Sequence, residues 1–143
     1  MKRRASAQWR GGLKNGSGRV STESGALAEK PYGFSARFEN EAGTNPEELI
    51  AAAHASCFAM ALSGQLETAQ MAAESIDVKA DVSLDKRAEG WTVTAIHLDV
   101  AAKIPGAASR EAFLEAADRA KTGCPMSRLL GAAASVTMDA RLN

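Results

Sequence analysis

Asn45-Pro46-Glu47-Glu48-Leu49-Ile50-Ala51-Ala52-Ala53-His54-Ala55-Ser56-Cys57-Phe58-Ala59-Met60-Ala61-Leu62 is the stretch on which the reading of this chain turns. It opens as a helix opens. Asn45 can accept from the free N–H groups of a first turn, and Pro46 suits the first helical position. Glu47 and Glu48 put negative charge at the positive end of the helix dipole. From Leu49 to Leu62 nearly every face is apolar or small, which predicts a helix buried all round. The alanines at 51, 52, 53, 55, 59 and 61 leave room for another backbone to approach. One domain of this size rarely surrounds a helix completely, so part of the cover is expected from a second copy of the chain.

The 143 residues predict a single domain over 1–143 with one core. Basic and acidic residues balance at 17 each, so nothing points to nucleic acid or an anionic membrane surface as partner. Met1 to Arg4 is basic, yet no apolar segment follows it as in a secretory signal. The apolar run from Leu49 to Leu62 is 14 residues, against the ~20 needed to span a bilayer. A cytoplasmic chain with no membrane partner is expected. In that compartment cysteines more often serve redox, metal or catalytic work than a structural disulfide.

Around the helix the pattern alternates between strand and helix. Ala5–Arg10 and Gly18–Thr22 read as strands parted by the turn-rich Gly11-Gly12 and Asn15-Gly16. Pro31–Phe38 reads as another extended piece leading into a loop. Ile76, Val78, Ala80, Val82 and Leu84 alternate with polar residues, the mark of a half-buried strand. Trp91–Ala101 follows as its partner, with Thr92, Thr94, Ile96, Leu98 and Val100 on one face. Residues 86–90 form a hairpin loop in which Gly90 can take positive φ. Ser109 caps a helix from Arg110 to about Lys121, with Ala112, Phe113, Ala116 and Ala120 on its apolar stripe. Gly123 ends it, Pro125 starts a short helix through Leu130, and Val136–Leu142 closes the chain as a strand.

Two cysteines, Cys57 and Cys124, are present. A cysteine in an apolar helix is ordinarily a small hydrophobe. Burial raises a thiol's pKa, so a reactive Cys57 demands a nearby arginine, lysine or protonated histidine. Cys124, between Gly123 and Pro125, stands where a helix begins and N–H groups face its sulfur. If the fold brings the two together, one can attack an oxidant and the other can close a disulfide onto it. Arg37, set among Tyr32, Phe34 and Phe38, is the candidate cation; the alternative is a solvated strand arginine. Glu47 lies about 15 Å along the helix from Cys57, so one straight helix cannot bring both to one site. Two copies packed antiparallel about a dyad could, and otherwise Glu47 serves the helix dipole. Two further readings compete. His54 and Cys57 share a helix face and could join His97 and Cys124 as zinc ligands. A non-catalytic dimer could instead hold apolar ligands in its cleft.

Several motifs together carry a resemblance. They are Val20-Ser21-Thr22-Glu23-Ser24-Gly25, Pro31-Tyr32-Gly33-Phe34, Gly43-Thr44-Asn45-Pro46-Glu47-Glu48-Leu49-Ile50, Ala52-Ala53-His54-Ala55, Ser75-Ile76-Asp77, Ala80-Asp81-Val82-Ser83-Leu84-Asp85-Lys86 and Gly123-Cys124-Pro125. From about Trp9 to the C-terminus the chain resembles the OsmC/Ohr family, in its OsmC branch rather than its organic hydroperoxide resistance branch. The resemblance implies an α+β fold in which two chains intertwine, long helices at the centre and antiparallel sheets outside. It implies a thiol peroxidase without metal or prosthetic group that favours organic hydroperoxides over hydrogen peroxide, with sites at the homodimer interface. On this footing Cys57 matches the peroxidatic cysteine and Cys124 the resolving one. Arg37 matches the arginine after Pro-Tyr-Gly-Phe, and Glu47 the glutamate after the helix-starting proline. The implied reductant is a small or protein-bound dithiol, such as a lipoyl group.

Overall fold

Capping and alternation become elements largely where the sequence places them. The computed structural model of the chain describes residues 1–39, 41–106 and 108–143. Residues Met1–Leu49 form one compact unit and Ile50–Asn143 another.

In the first unit, β1 (Ala5–Arg10), β2 (Ser17–Thr22) and β3 (Lys30–Tyr32) make an antiparallel sheet in that order. Gly18 pairs with Tyr32, and a Cβ on Gly18 would lie 2.3 Å from the tyrosine ring. Glycine is needed there because the ring lies flat across the backbone. Trp9 extends the aromatic layer, its ring 5.5 Å from that of Tyr32. The extended reading of Pro31–Phe38 is corrected beyond Tyr32, since Phe34–Phe38 is a short helix, α1. Arg37 N donates to Gly33 O and Glu39 N to Ser35 O. Phe34 and Phe38, one turn apart, pack at 4.8 Å, which favours a turn over a strand.

Helix α2 (Pro46–Thr68) starts on the expected cap, with Glu48 N donating to Asn45 Oδ1 at 2.8 Å. It runs on past Leu62 to Thr68. Burial all round does not hold within one chain. His54, Phe58, Leu62 and Leu66, spaced by four, are buried, whereas Ala53, Ser56, Met60 and Gly64 are exposed. A single chain has layers enough to cover only one face. By length and composition the helix could cross a membrane. Phe58, Leu62 and Leu66 instead join a protein core with Leu98, Val100 and Phe113.

The second unit adds β4 (Ser75–Arg87), β5 (Gly90–Lys103), α3 (Arg110–Gly123), α4 (Pro125–Gly131) and β6 (Ser135–Leu142). Strands β4 and β5 are antiparallel and pair as far as Arg87 with Gly90, so the loop is shorter than expected. Gly90 does take positive φ, at 122°. A register shift lets Leu84 pair with Val93 while Ser83 pairs with Ala95, leaving Thr94 as an extra residue. The bulge swaps faces, so Val93 rather than Thr92 continues the line of Ile96, Leu98 and Val100. The antiparallel arrangement holds for the first sheet and for β4–β5, but β6 runs parallel to β5. The α3–α4 crossover carries the chain back to the same end, as a parallel pair requires. Ser109 Oγ accepts from Ala112 N at 3.3 Å and caps α3. Its buried stripe is Phe113, Ala116, Ala117 and Ala120. Phe58 and Phe113 are fully buried, each worth roughly 1.5–3 kcal/mol of side-chain burial.

Candidate active site

Cys57 rides on the half-buried flank of α2, one residue before the fully buried Phe58. Cys124 is held by the junction of two helices. Its N donates to Ala120 O at 2.8 Å and ends α3, while its O accepts from Arg128 N at 3.0 Å as α4 begins. Pro125 supplies the first residue of α4, where a missing N–H costs nothing. These constraints point the Cys124 side chain into the core, where it is wholly buried. The two sulfurs share a hydrogen bond at 3.2 Å, and both cysteines are free.

Their environments are unequal. Burial pushes the Cys57 thiol up, the Cys124 sulfur adds to that, and a hydrogen bond from the Met126 backbone works against it. Burial also opposes ionisation of Cys124. It is outweighed by hydrogen bonds from the Ser127 backbone, the Cys57 thiol, the Ser127 hydroxyl and the Met126 backbone, so Cys124 is lowered. Within this unit the proton of the pair therefore belongs to Cys57. No cation from the described residues of 50–143 acts on Cys57.

His54 lies one turn before Phe58 on the buried face of α2. Its Nε2 is 2.8 Å from Ser127 Oγ, and its Nδ1 is buried with no hydrogen-bond partner among the described residues. Sequence reasoning passed over Ser127; the available signal was a small polar residue one turn after Cys124. Burial lowers the His54 pKa below its ordinary 6.5. The unfolded chain then binds a proton that the folded chain refuses. Stability is complete above about 6.5 and is lost as pH falls from there towards the folded value. In denaturant melts between about pH 7.5 and 5.5, His54→Gln should lose less stability on acidification than the parent chain. Equal losses would show that His54 is protonated with equal ease in both states.

The first unit holds a second constellation. Arg37 Nε donates to Glu47 Oε2 at 3.0 Å and Nη2 to Oε1 at 2.6 Å, a two-pronged ion pair. Helix α1 positions the arginine, whose guanidinium also lies 5.2 Å from the Phe38 ring centre. The first turn of α2 positions the glutamate. Trp9, Leu13, Phe34 and Phe38 line a cavity of about 350 Å³ beside Arg37. The structure thus brings Arg37 to Glu47 in one unit and Cys57 to Cys124 in the other. The four residues of the zinc reading are not gathered. His54 is engaged by Ser127, and His97 bonds Thr137 at 2.8 Å and faces Asp139. Among the described residues no group of three or more His, Cys, Asp or Glu is placed to hold a metal ion.

The family described as OsmC-like protein matches residues 38–139. The chain is 49% identical over 140 residues to Peroxiredoxin OsmC of Escherichia coli, covering 98% of this chain and 96% of that one. Among solved structures it superposes on an organic hydroperoxide resistance protein OsmC from Legionella pneumophila. The TM-score is 0.71, with 25% identity over 96% of each chain. The organic hydroperoxide resistance protein OhrB of Bacillus subtilis shares the fold, with a TM-score of 0.71 at 24% identity, over 96% of this chain and 98% of that one. With two free thiols in hydrogen-bond contact on an α+β scaffold, and half its residues shared with a relative of nearly equal span, the chain belongs to the OsmC-like protein family.

Proposed function

We propose that this chain is a thiol-dependent peroxidase that reduces organic hydroperoxides to alcohols. The observation that carries the reading is the 3.2 Å approach of two free thiols of opposite tendency to ionise. Each chain is one OsmC-like domain over 1–143, and the working enzyme is a soluble, cytoplasmic homodimer with its sites at the subunit interface. The exposed face of α2 supports that pairing, because the large apolar Met60 on it stands 71% exposed. About 15 Å of helix separates Glu47 from Cys57, so the Arg37–Glu47 pair of one subunit serves Cys57 of the other.

There the guanidinium draws the shared proton off Cys57 and onto Cys124. The Cys57 thiolate attacks one peroxide oxygen; the S–O bond forms, the O–O bond breaks, and the alkoxide takes a proton and leaves as alcohol. Arg37 stabilises the charge that develops on the departing oxygen. Cys124 then attacks the sulfenic acid, forming the disulfide and releasing water. A dithiol, of which a lipoyl group is one form, restores both thiols.

A free-thiol count before and after one equivalent of cumene hydroperoxide tests the proposal. Both thiols should disappear in the parent chain and return with excess dithiol. Cys124→Ser should allow one oxidation, after which further peroxide drives Cys57 to the sulfinic acid, seen by mass spectrometry. Thiols left untouched by peroxide would reduce the protein to a binder of apolar ligands.

A further inference from the structure

We propose that His54 and Ser127 form a positioning pair that holds a hydrogen-bond donor on the Cys124 sulfur, readying it to attack and later to leave. The assignment rests on Cys124 being the resolving cysteine. Neither residue touches the peroxide in the reaction above, yet both are buried and joined at 2.8 Å between α2 and α4.

The direction of that bond follows from what is left unpaired. Were the imidazole proton on Nδ1, a buried N–H would face no acceptor; on Nε2 it meets Ser127 Oγ, and the orphaned atom is only a lone pair. Orphaned donors are the rarer and costlier case. With Nε2–H donating, the Ser127 oxygen is satisfied as acceptor and its proton is free to point elsewhere. Ser127 stands one turn past Cys124 at the start of α4, and its hydroxyl is among the groups that lower the Cys124 thiol. A hydroxyl that must donate to a sulfur favours the thiolate over the thiol. A leucine at 54 would fill the space without stranding a nitrogen, so packing alone does not account for the histidine.

The pair acts in two steps. In closure, the Cys124 thiolate attacks the Cys57 sulfenic sulfur; the S–S bond forms, the S–O bond breaks, and the hydroxide takes the proton that Cys124 had shed. In reduction, Cys124 is wholly buried and Cys57 is not, so the dithiol's thiolate attacks Cys57. The S–S electron pair passes to Cys124, which leaves as the stabilised thiolate, and the reductant's second thiol releases Cys57.

Single-turnover mixing of reduced dimer with cumene hydroperoxide separates oxidation of Cys57 from disulfide closure. In Ser127→Ala, closure should slow about ten- to a hundredfold, the scale of one hydrogen bond to a charged group. The first oxidation should not slow, because a Cys124 that holds the shared proton more firmly leaves Cys57 ionised, and thiolate absorbance of Cys124 should require higher pH. Ser127→Thr should restore closure, as should His54→Gln, which keeps a donor. His54→Phe should slow it. Normal closure in a folded Ser127→Ala protein would overturn the proposal while leaving the peroxidase reading intact. Failure of the parent chain to oxidise at all would instead sink that reading.

Discussion

Cys57→Ser should abolish hydroperoxide turnover, with a fall on the order of 10⁴-fold or more, the scale seen when an enzyme loses its nucleophile. Serine is close to cysteine in size, and position 57 is half-buried rather than sealed in the core. The variant should therefore fold, and its circular dichroism and melting midpoint should stay near those of the parent. What it lacks is a polarisable anion: an alcohol does not ionise near neutral pH and does not attack a peroxide O–O bond at a useful rate. Cys124 cannot take over, being wholly buried behind the Cys57 sulfur. Peroxide consumption coupled to dithiol oxidation is the measurement. Full activity in Cys57→Ser would remove the assigned nucleophile.

The second large effect is expected at Arg37. Burial holds the Cys57 thiol in its protonated form, and no cation from the described residues of its own unit opposes that. Arg37→Met should lower turnover by about 10²–10³-fold, since the arginine both favours the thiolate and stabilises the departing oxygen. The Cys57 thiolate, followed by ultraviolet absorbance in a Cys124→Ser background, should then appear at higher pH. Arg37→Lys should rescue little. One ammonium cannot occupy both carboxylate oxygens of Glu47, which the guanidinium meets at 3.0 and 2.6 Å. Glu47→Gln should cost less, about tenfold, because it loosens the arginine without removing it. Parent-like turnover in Arg37→Met would mean that Cys57 is ionised by something else.

Much of the architecture is legible locally. Asn45, Pro46 and the two glutamates announce α2 because a helix start is a matter of four or five neighbouring residues. Ile76 to Leu84 declares a half-buried strand because side chains on a strand alternate sides. Ser109, Gly90 and Pro125 each act within a single turn, and each is found in its expected role. The misreadings lie where the local pattern suits two structures or where a distant partner decides. Phe34–Phe38 has aromatics that suit either a strand or a helical turn, and the turn won through contacts at four-residue spacing. The bulge at Thr94 is a property of β4 and β5 together and leaves no mark in either strand alone.

The candidate site divides along the same line. By itself the sequence determined the chemistry on offer: a thiol in an apolar helix, a thiol at a helix junction, an arginine among aromatics and a glutamate after a proline. Only the tertiary structure decided that the two sulfurs meet at 3.2 Å, that Arg37 grips Glu47 with both prongs, and that His54 reaches Ser127. The physical reason is one of range. Caps and periodicities are satisfied by atoms a turn away, whereas the ionisation of a buried sulfur depends on whatever the whole fold packs around it.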